Sequence, residues 1–182
     1  TINGLSAKCN VTVLDDEDYN QVFIDELYYN LDKDNYTATV IPKTDCNGNI
    51  ENGYISGEIT IPENVNFFGT NYLVTCIGEY AFYNCNLTSV NLPQSILIID
   101  DYGFAGTAIR DIELPDKLNK IGDFSFSESK IESMLLGANL SEIGIGVFMN
   151  CKNLQAIYID DNNPNFLIHD DCLYNKTLEN LR

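Results

Sequence analysis

Four side chains in the second half of the chain combine charge with apolar surface in a spacing that suits ligand binding. Asp111 and Glu113 stand two positions apart, and Leu135 and Tyr158 occupy the places that match Glu113 in the two following copies of a repeat. Residues two apart in a strand share a face, so all four are predicted to point outward on one concave face. This face grades from acidic to apolar, and an exposed leucine next to a tyrosine can anchor a peptide or a sugar ring. The alternative is ordinary variation of an exposed surface. The two predicted rows are Glu58, Ser89, Asp111, Ser133 and Ala156, and Thr60, Asn91, Glu113, Leu135 and Tyr158.

Three aromatic residues form a second candidate surface. Tyr80, Tyr102 and Phe124 recur at the same period, and Gly146 ends the column. Each stands two positions before a phenylalanine that is predicted to be buried, so the three rings are predicted to point outward on the convex side. Such rings could bind glycan rings or another subunit. They could equally pack half-buried over a turn, and both interpretations stay open.

The chain lacks the residue combinations that catalysis and metal binding usually require. His169 is the only histidine, and neither a G-x-S-x-G elbow nor a C-x-x-C spacing is present. The acidic pairs at 100–101, 160–161 and 170–171 and the acidic run at 15–18 match no defined calcium loop. We therefore predict a non-catalytic protein without cofactor or metal. The enzymatic alternative would use the carboxylates of Asp111 and Glu113 as a pair in glycan processing.

The composition of the chain limits the classes of partner that it can bind. Of 182 residues, 27 are acidic and 10 basic, which gives a net charge of −17, and 45% are hydrophobic. The apolar content argues against disorder. The negative charge repels phosphate backbones and anionic lipids, so nucleic acid and membrane surfaces are unfavourable partners. No apolar run approaches the ~20 residues that span a bilayer, and we expect no membrane insertion.

The first ten residues contain no basic and apolar signal segment. Leu5 to Cys9 is only weakly similar to a lipoprotein cleavage site, because Lys8 precedes the cysteine and no apolar stretch comes before it. The sequence therefore leaves open a signal sequence, and a lipid anchor, that are not part of this chain.

A 22-residue repeat supplies the framework that must position these side chains. Apolar residues recur in five columns over four copies, with one residue inserted in the fourth. No copy of such a repeat buries its apolar side alone, so the chain is predicted to be a stacked solenoid. Each copy should contain one strand, Asp111–Leu114 among them, and a segment long enough for only one helical or 3₁₀ turn. The phenylalanines should stack as an internal ladder. Two of the columns are Ile77, Ile99, Ile121 and Ile143, and Phe82, Phe104, Phe126 and Phe148.

The first part of the chain lacks this repeat. Residues 1–57 are predicted to form a small β-rich cap, in which 21–31 and 36–41 make a hairpin. Residues 58–182 are predicted to form the repeat array, which ends in a hairpin between 166 and 174. Terminal units are expected to be atypical because they face water.

The disulfide state of the six cysteines stays open. Cys85 and Cys151 hold matching places in the first and fourth copies. Three rungs of about 4.8 Å would separate them by roughly 14 Å, beyond the limit of ~7 Å between the Cα atoms of a disulfide. They are predicted to be small fillers at a turn, and a bridge between Cys9 and Cys46 stays an alternative.

The repeat resembles that of a known family. Ile77–Cys85 reads IGEYAFYNC and Leu87–Pro93 reads LTSVNLP, and together they are similar to the BspA-like leucine-rich repeat, I-G-x-x-A-F-x-x-C-x-x-L-x-x-I-x-I-P. Asn163–Phe166 with Leu173 and Tyr174 resembles the ending repeat of such proteins. The resemblance covers about residues 22 to 178. It implies a leucine-rich-repeat solenoid, secreted or anchored at the cell surface and active in adhesion and protein binding, and it transfers no catalytic residue.

These features together predict a right-handed, strand-rich leucine-rich-repeat solenoid behind a β-hairpin cap. Its predicted function is a non-catalytic binding module, at the cell surface or secreted, for protein or carbohydrate ligands that include host molecules. Two alternatives stay open: an accessory subunit of a glycan-processing system, and a structural surface-layer protein.

Overall fold

The computed structural model of the protein describes residues 21–45, 48–169 and 172–176. These residues form strands joined by turns, and they contain no α-helix and hence no helix that could cross a bilayer. The strands are β1 (Gln21–Ile24), β2 (Leu27–Asp32), β3 (Thr37–Ile41), β4 (Ser56–Thr60), β5 (Asn64–Phe67), β6 (Thr70–Ile77), β7 (Asn86–Asn91), β8 (Ile98–Ile99), β9 (Lys120–Ile121), β10 (Ser133–Leu136), β11 (Glu142–Ile143), β12 (Ala156–Ile159), β13 (Phe166–His169) and β14 (Cys172–Asn175).

The N-terminal strands form an antiparallel meander, which contains one turn more than the predicted hairpin. β2 pairs with β3 as expected, but β1 is a separate strand that pairs with β2. The extra turn lies at Asp25 and Glu26, whose φ angles of 47° and 71° are in the left-handed region and end β1. The turn between β2 and β3 is held by Asp32, whose carboxylate accepts hydrogen bonds from the N–H groups of Asp34 and Asn35, each at 2.9 Å.

One continuous sheet runs from these strands into the repeats. β3 pairs in parallel with β6, and β8, β9 and β11 follow in parallel order, with β5 paired to β6 as a hairpin. Ile77, Ile99, Ile121 and Ile143 are direct neighbours in this sheet, which confirms the register of the isoleucine column. The first three are fully buried and Ile143 is half-buried.

The strands that carry the two predicted outward rows form two separate pairs. β4 pairs in parallel with β7, and β10 pairs in parallel with β12. The strand predicted at Asp111–Leu114, between β7 and β10, is absent, because this segment enters no strand pairing with any described residue. The copies remain joined just before it, where the carbonyl oxygen of Arg110 accepts a hydrogen bond from the N–H of Glu132 at 2.9 Å. The prediction of a strand in every copy is therefore wrong for the copy that contains Asp111–Leu114.

The phenylalanine column stacks inside the array and confirms the predicted ladder. Ring centroids are 5.3 Å apart for Phe82 and Phe104, 5.5 Å for Phe104 and Phe126, and 6.2 Å for Phe126 and Phe148. The first three rings are fully buried and Phe148 is half-buried. The apolar core therefore runs along the direction in which the copies stack.

The turns ahead of the phenylalanines are not helical, contrary to the predicted helical or 3₁₀ turn. Tyr80, Tyr102 and Phe124 adopt φ angles of 57°, 55° and 53°, which interrupt a right-handed helical turn. Single turns are closed by local hydrogen bonds, such as that from the N–H of Ala81 to the carbonyl oxygen of Gly78 at 3.1 Å, and further backbone hydrogen bonds join the turns of successive copies. The N–H of Tyr80 donates to the carbonyl oxygen of Asp101 at 3.0 Å, and that of Tyr102 donates to Asp123 at 2.9 Å.

The predicted terminal hairpin is present as β13 paired with β14. Asn163, which is 1% exposed, ties this hairpin to the repeats. Its side-chain amide donates to the carbonyl oxygens of Gly137 at 2.8 Å and Leu140 at 3.0 Å. Its Oδ1 accepts hydrogen bonds from the N–H groups of Asn165 at 2.8 Å and Phe166 at 2.9 Å. One side chain therefore satisfies four backbone groups at the junction.

Asn163→Ala is expected to lower the free energy of unfolding by about 1–3 kcal/mol, because buried backbone groups lose their partners. Asn162→Ala, at the exposed neighbouring position, is the control and should change it by less than about 0.5 kcal/mol. Chemical denaturation measures both free energies, and hydrogen exchange in β13 and β14 measures local opening. Equal exchange in the two variants would contradict the anchoring role of Asn163.

Candidate functional site

β10 and β12 position the two apolar candidates side by side. In their parallel register Leu135 lies opposite Tyr158, and Ser133 lies opposite Ala156. Leu135 and Tyr158 are 56% and 58% exposed, whereas Met134 is 2% exposed. Alternate residues of β10 therefore point to the core and to the surface. This confirms the register of the predicted rows at these two strands.

The two acidic candidates lie on the segment that has no strand partner. Asp111 and Glu113 are exposed, whereas Ile112 and Leu114 are partly buried against the core. The segment thus keeps the alternation of a strand without its hydrogen-bonded ladder. Pro115 follows it directly and has no N–H with which to extend a ladder.

An open groove of about 920 Å³ crosses these segments and brings the four candidates together. Asp111, Glu113, Leu135 and Tyr158 all line it. We call this space the central groove. Ser89, Asn91 and Ser133 of the predicted rows also line it, whereas Glu58, Thr60 and Ala156 do not.

One edge of the central groove consists of turn residues that the sequence analysis missed. Asp116, Asn139 and Asp160 line this edge. The side-chain amide of Asn139 donates to the carbonyl oxygen of Asp116 at 2.8 Å, and Oδ1 of Asp160 accepts from the N–H of Asn162 at 2.8 Å. The sequence did contain a signal for the place of this edge. Each turn comes directly after the strand position of its copy, so the turn residues must lie beside the strand ends.

The charge in the central groove has a single sign. Its charged lining residues are Asp111, Glu113, Asp116 and Asp160, and no lysine or arginine is among the described residues that line it. The guanidinium of Arg110, next to Asp111 in the chain, is 2.7 Å from the carboxylate of Glu132. The groove therefore combines uncompensated negative charge with exposed apolar side chains, an arrangement suited to cationic or amphipathic ligands.

The aromatic column that was predicted for the convex side is a stack in which the rings face one another. Centroids are 4.8 Å apart for Tyr80 and Tyr102 and 5.2 Å for Tyr102 and Phe124, with interplanar angles of 8° and 19°. Tyr83 lies edge-on to both tyrosines, and a Cβ at Gly146 would come within 2.4 Å of the Phe124 ring. Desolvation and the neighbouring Tyr102 raise the pKa of Tyr80. The geometry supports packing over the turns, and glycan binding by this column stays a prediction.

Comparison with protein families identifies the repeat. The family model of the BspA type leucine rich repeat region matches residues 75–182 in six copies. The chain belongs to the BspA-type leucine-rich repeat family. No curated protein matches the chain.

Solved proteins, among them two described as leucine-rich repeat proteins, share the strand-rich fold of this BspA-type chain. A leucine-rich repeat protein from Bacteroides capillosus is 24% identical, with a TM-score of 0.63 over 78% of this chain and 99% of that one. One from Bacteroides ovatus is 24% identical, with a TM-score of 0.54 over 75% of this chain and 40% of that one. The pneumococcal vaccine antigen PcpA is 15% identical, with a TM-score of 0.54 over 86% of this chain and 54% of that one. At these identities the likeness concerns the fold alone, and the chain spans about half or less of the two longer proteins.

The cysteine column of the BspA-type repeat fills a turn. Cys85 is buried, and Sγ of Cys151 donates to the carbonyl oxygen of Phe126 at 3.0 Å and lies 3.4 Å from Oγ of Ser129. Both are free thiols, as is Cys76, whose pKa is raised to about 11 by burial. The predicted role of Cys85 and Cys151 as small turn residues is confirmed.

Metal ligands are not clustered in the described part of this BspA-type chain. No group of three or more His, Cys, Asp and Glu residues there could hold a metal ion. The acidic run at 15–18, the acidic pair at 170–171 and the bridge weighed between Cys9 and Cys46 lie outside the described residues.

Proposed function

We propose that the protein is a non-catalytic binding module that presents the central groove to a protein or carbohydrate ligand. The main support is the exposure of Leu135 and Tyr158 side by side, next to the carboxylates of Asp111 and Glu113. Large apolar side chains exposed within a groove are typical of binding surfaces. In this proposal the protein acts by contact alone, without a cofactor.

The proposed architecture is a right-handed solenoid of residues 58–182 behind a β-rich cap of residues 1–57. The parallel order of β6, β8, β9 and β11 supports stacking of the copies. Connections between parallel strands of one sheet are right-handed in nearly all known cases. Binding on an open face is common in such arrays, which supports the central groove as the site.

The proposed location is the cell surface or the extracellular medium. One protein that shares the fold is a pneumococcal vaccine antigen, which supports this location together with the family of the repeat. The net charge of −17 disfavours nucleic acid and anionic lipid surfaces. The proposed partners are therefore extracellular proteins or glycans, including those of a host.

The double variant Leu135→Ala/Tyr158→Ala is expected to weaken binding of the ligand by about tenfold or more, because aromatic and apolar anchors dominate interface energies. A glycan array and capture of host proteins, each identified by mass spectrometry and then purified, would supply the ligands. Affinities of the wild type and the variant would be measured by calorimetry.

The matched control is Tyr36→Ala/Ile145→Ala, which removes a tyrosine and an aliphatic residue of similar exposure, 58% and 68%, outside the central groove. It should bind as the wild type does. Unchanged affinity of Leu135→Ala/Tyr158→Ala for every identified ligand would place the binding surface elsewhere.

A further inference from the structure

We propose that the ligand of the central groove is an extended peptide segment with a lysine or arginine followed about three residues later by a large apolar side chain. This inference rests on the proposed function and specifies the class of its ligand. It depends on three features of the groove: the sign of its charge, the position of its apolar residues and the distance between the two.

The sign of the charge selects a cationic partner. Asp111, Glu113, Asp116 and Asp160 line the groove, and no described lysine or arginine lines it. The ion pairs found among the described residues leave all four carboxylates without a cationic partner. Complementary charge speeds association and disfavours wrong partners, so a basic segment is selected and an acidic one is repelled.

The apolar residues lie at one end of the groove. Leu135 and Tyr158 are adjacent across the β10–β12 pairing, and Glu113 holds the matching position in the copy before Leu135. A ligand that crosses the copies therefore meets the carboxylates of Asp111 and Glu113 first and the apolar surface next. A neutral glycan would use the apolar surface but would gain little from the charge.

The distance between the two parts sets the spacing in the ligand. β10 and β12 pair as neighbouring strands about 4.8 Å apart, and a backbone hydrogen bond from Glu132 to Arg110 keeps the copy before them stacked, so the two steps from Glu113 to Tyr158 cover roughly 10 Å. A peptide in the extended polyproline II conformation advances about 3.1 Å per residue and completes one turn in three residues, so side chains three positions apart lie on one face and cover about that distance. A basic residue at Asp111 and Glu113 then places an apolar residue three positions later at Leu135 and Tyr158.

The unpaired segment adds polar groups to the floor of the groove. Asp111–Leu114 enters no strand pairing with any described residue, so its N–H and C=O groups are not used in a ladder. Such groups require partners from water or a ligand. A peptide main chain supplies both donors and acceptors, whereas an isolated cation or a lipid chain does not.

The test uses a labelled synthetic peptide, acetyl-GSGRKGSFGSG-amide, and the full chain. In one matched peptide, glutamates replace the arginine and the lysine. In the other, alanine replaces the phenylalanine. We expect the basic peptide to bind at least about tenfold more tightly than the glutamate peptide, and to lose affinity between about 0.1 M and 1 M salt, where the Debye length falls from about 10 Å to about 3 Å. The alanine peptide should bind more weakly than its parent.

Protein variants locate the effect. The double variant Asp111→Asn/Glu113→Gln keeps the shape of two exposed side chains but removes their charge. It should lower the affinity for the basic peptide by about fivefold or more. Glu63→Gln/Glu142→Gln removes the same charge from exposed positions that do not line the central groove and should bind as the wild type does. Unchanged melting temperatures show that the variants are folded.

The outcomes separate this inference from the proposed function. Equal binding of the basic and glutamate peptides, or full affinity of Asp111→Asn/Glu113→Gln, overturns the inference. If the basic peptide does not bind but Leu135→Ala/Tyr158→Ala still weakens a glycan or protein ligand, the inference is wrong and the proposed function stands. If neither variant affects any ligand, both are wrong.

Discussion

Phe104→Ala is expected to lower the free energy of unfolding by about 3–5 kcal/mol, the usual cost of truncating a buried phenylalanine. Phe104 has no exposed surface and lies between Phe82 and Phe126, with ring centroids 5.3 Å and 5.5 Å away. Its removal takes a contact from each neighbour and leaves a cavity in the middle of the array. Because whole domains are stable by about 5–15 kcal/mol, the variant should be largely unfolded at moderate urea concentrations.

Phe148→Ala should be milder because its ring stands at the end of the ladder. Phe148 is half-buried and 6.2 Å from its one stacked neighbour, Phe126. Phe68→Ala is the control, because that ring is 80% exposed and its loss creates no cavity. Urea denaturation of the three variants measures the order of effects. Equal midpoints for Phe104→Ala, Phe148→Ala and the wild type would contradict a continuous ladder.

The orientation of side chains that recur every 22 residues could be predicted, because the period indicates which positions face the core. The isoleucine and phenylalanine columns are neighbours in the sheet and in the ring stack, as their spacing required. The same logic placed Leu135 and Tyr158 outward and opposite each other. A period in the sequence is enough for this, since equivalent residues of stacked copies meet.

Backbone hydrogen bonding could not be predicted in the same way. Asp111–Leu114 has the same alternation as the paired strand in the copy before it, yet it enters no pairing with any described residue. Likewise, the aromatic types at Tyr80 and Tyr102 give no sign of a left-handed backbone, which aromatic residues seldom adopt. At the two tyrosines, backbone hydrogen bonds between copies hold a conformation that local preference disfavours.

The candidate site was therefore predicted in part. The four outward residues Asp111, Glu113, Leu135 and Tyr158 follow from strand alternation, and all of them line the central groove. The edge formed by Asp116, Asn139 and Asp160 depends on how the turns fold back beside the strands. The turns after Pro93, Pro115 and Gly137 are equally long but differ in residue type, so their place beside the strand ends could be predicted and the residues that line the edge could not.

Gly78, Gly122 and Gly144 directly follow the isoleucine column, and the last two are required by a contact between copies rather than by a local bend. A Cβ at Gly122 would lie 2.4 Å from Oδ1 of Asp101, 2.6 Å from its backbone nitrogen and 2.7 Å from the carbonyl carbon of Asp100. The carboxylate of Asp101 is held there because its Oδ1 accepts the N–H of Asp123 at 2.7 Å. The glycine thus leaves room for an aspartate that links one copy to the next.

The adjacent copies support this pairing of glycine with aspartate. At Gly144 a Cβ would lie 2.4 Å from Oδ1 of Asp123, which accepts the N–H of Ile145 at 2.8 Å. Asp100 occupies the glycine position in the second copy, where the copy before it has the exposed Glu79 instead of an aspartate. A side chain is therefore tolerated at Asp100, whereas at Gly78 the cause is different, since a Cβ there would lie 2.8 Å from Cγ2 of Thr39 and 2.8 Å from the carbonyl oxygen of Val40.

Gly122→Ala is accordingly expected to lower the free energy of unfolding by about 3 kcal/mol, at the upper end of the range for overpacked sites, because backbone atoms must move to admit the methyl group. Gly137→Ala is the matched control, since a Cβ there meets no atom within 4 Å, and it should be neutral within about 0.5 kcal/mol. Urea denaturation measures both free energies of unfolding.

The double variant Gly122→Ala/Asp101→Ala should recover part of the lost stability, because it removes the carboxylate that the new methyl group meets but leaves the backbone contacts. Similar stabilities for Gly122→Ala and Gly137→Ala would show that the copies can separate enough to admit a side chain, and that the aspartate bridge does not fix their spacing.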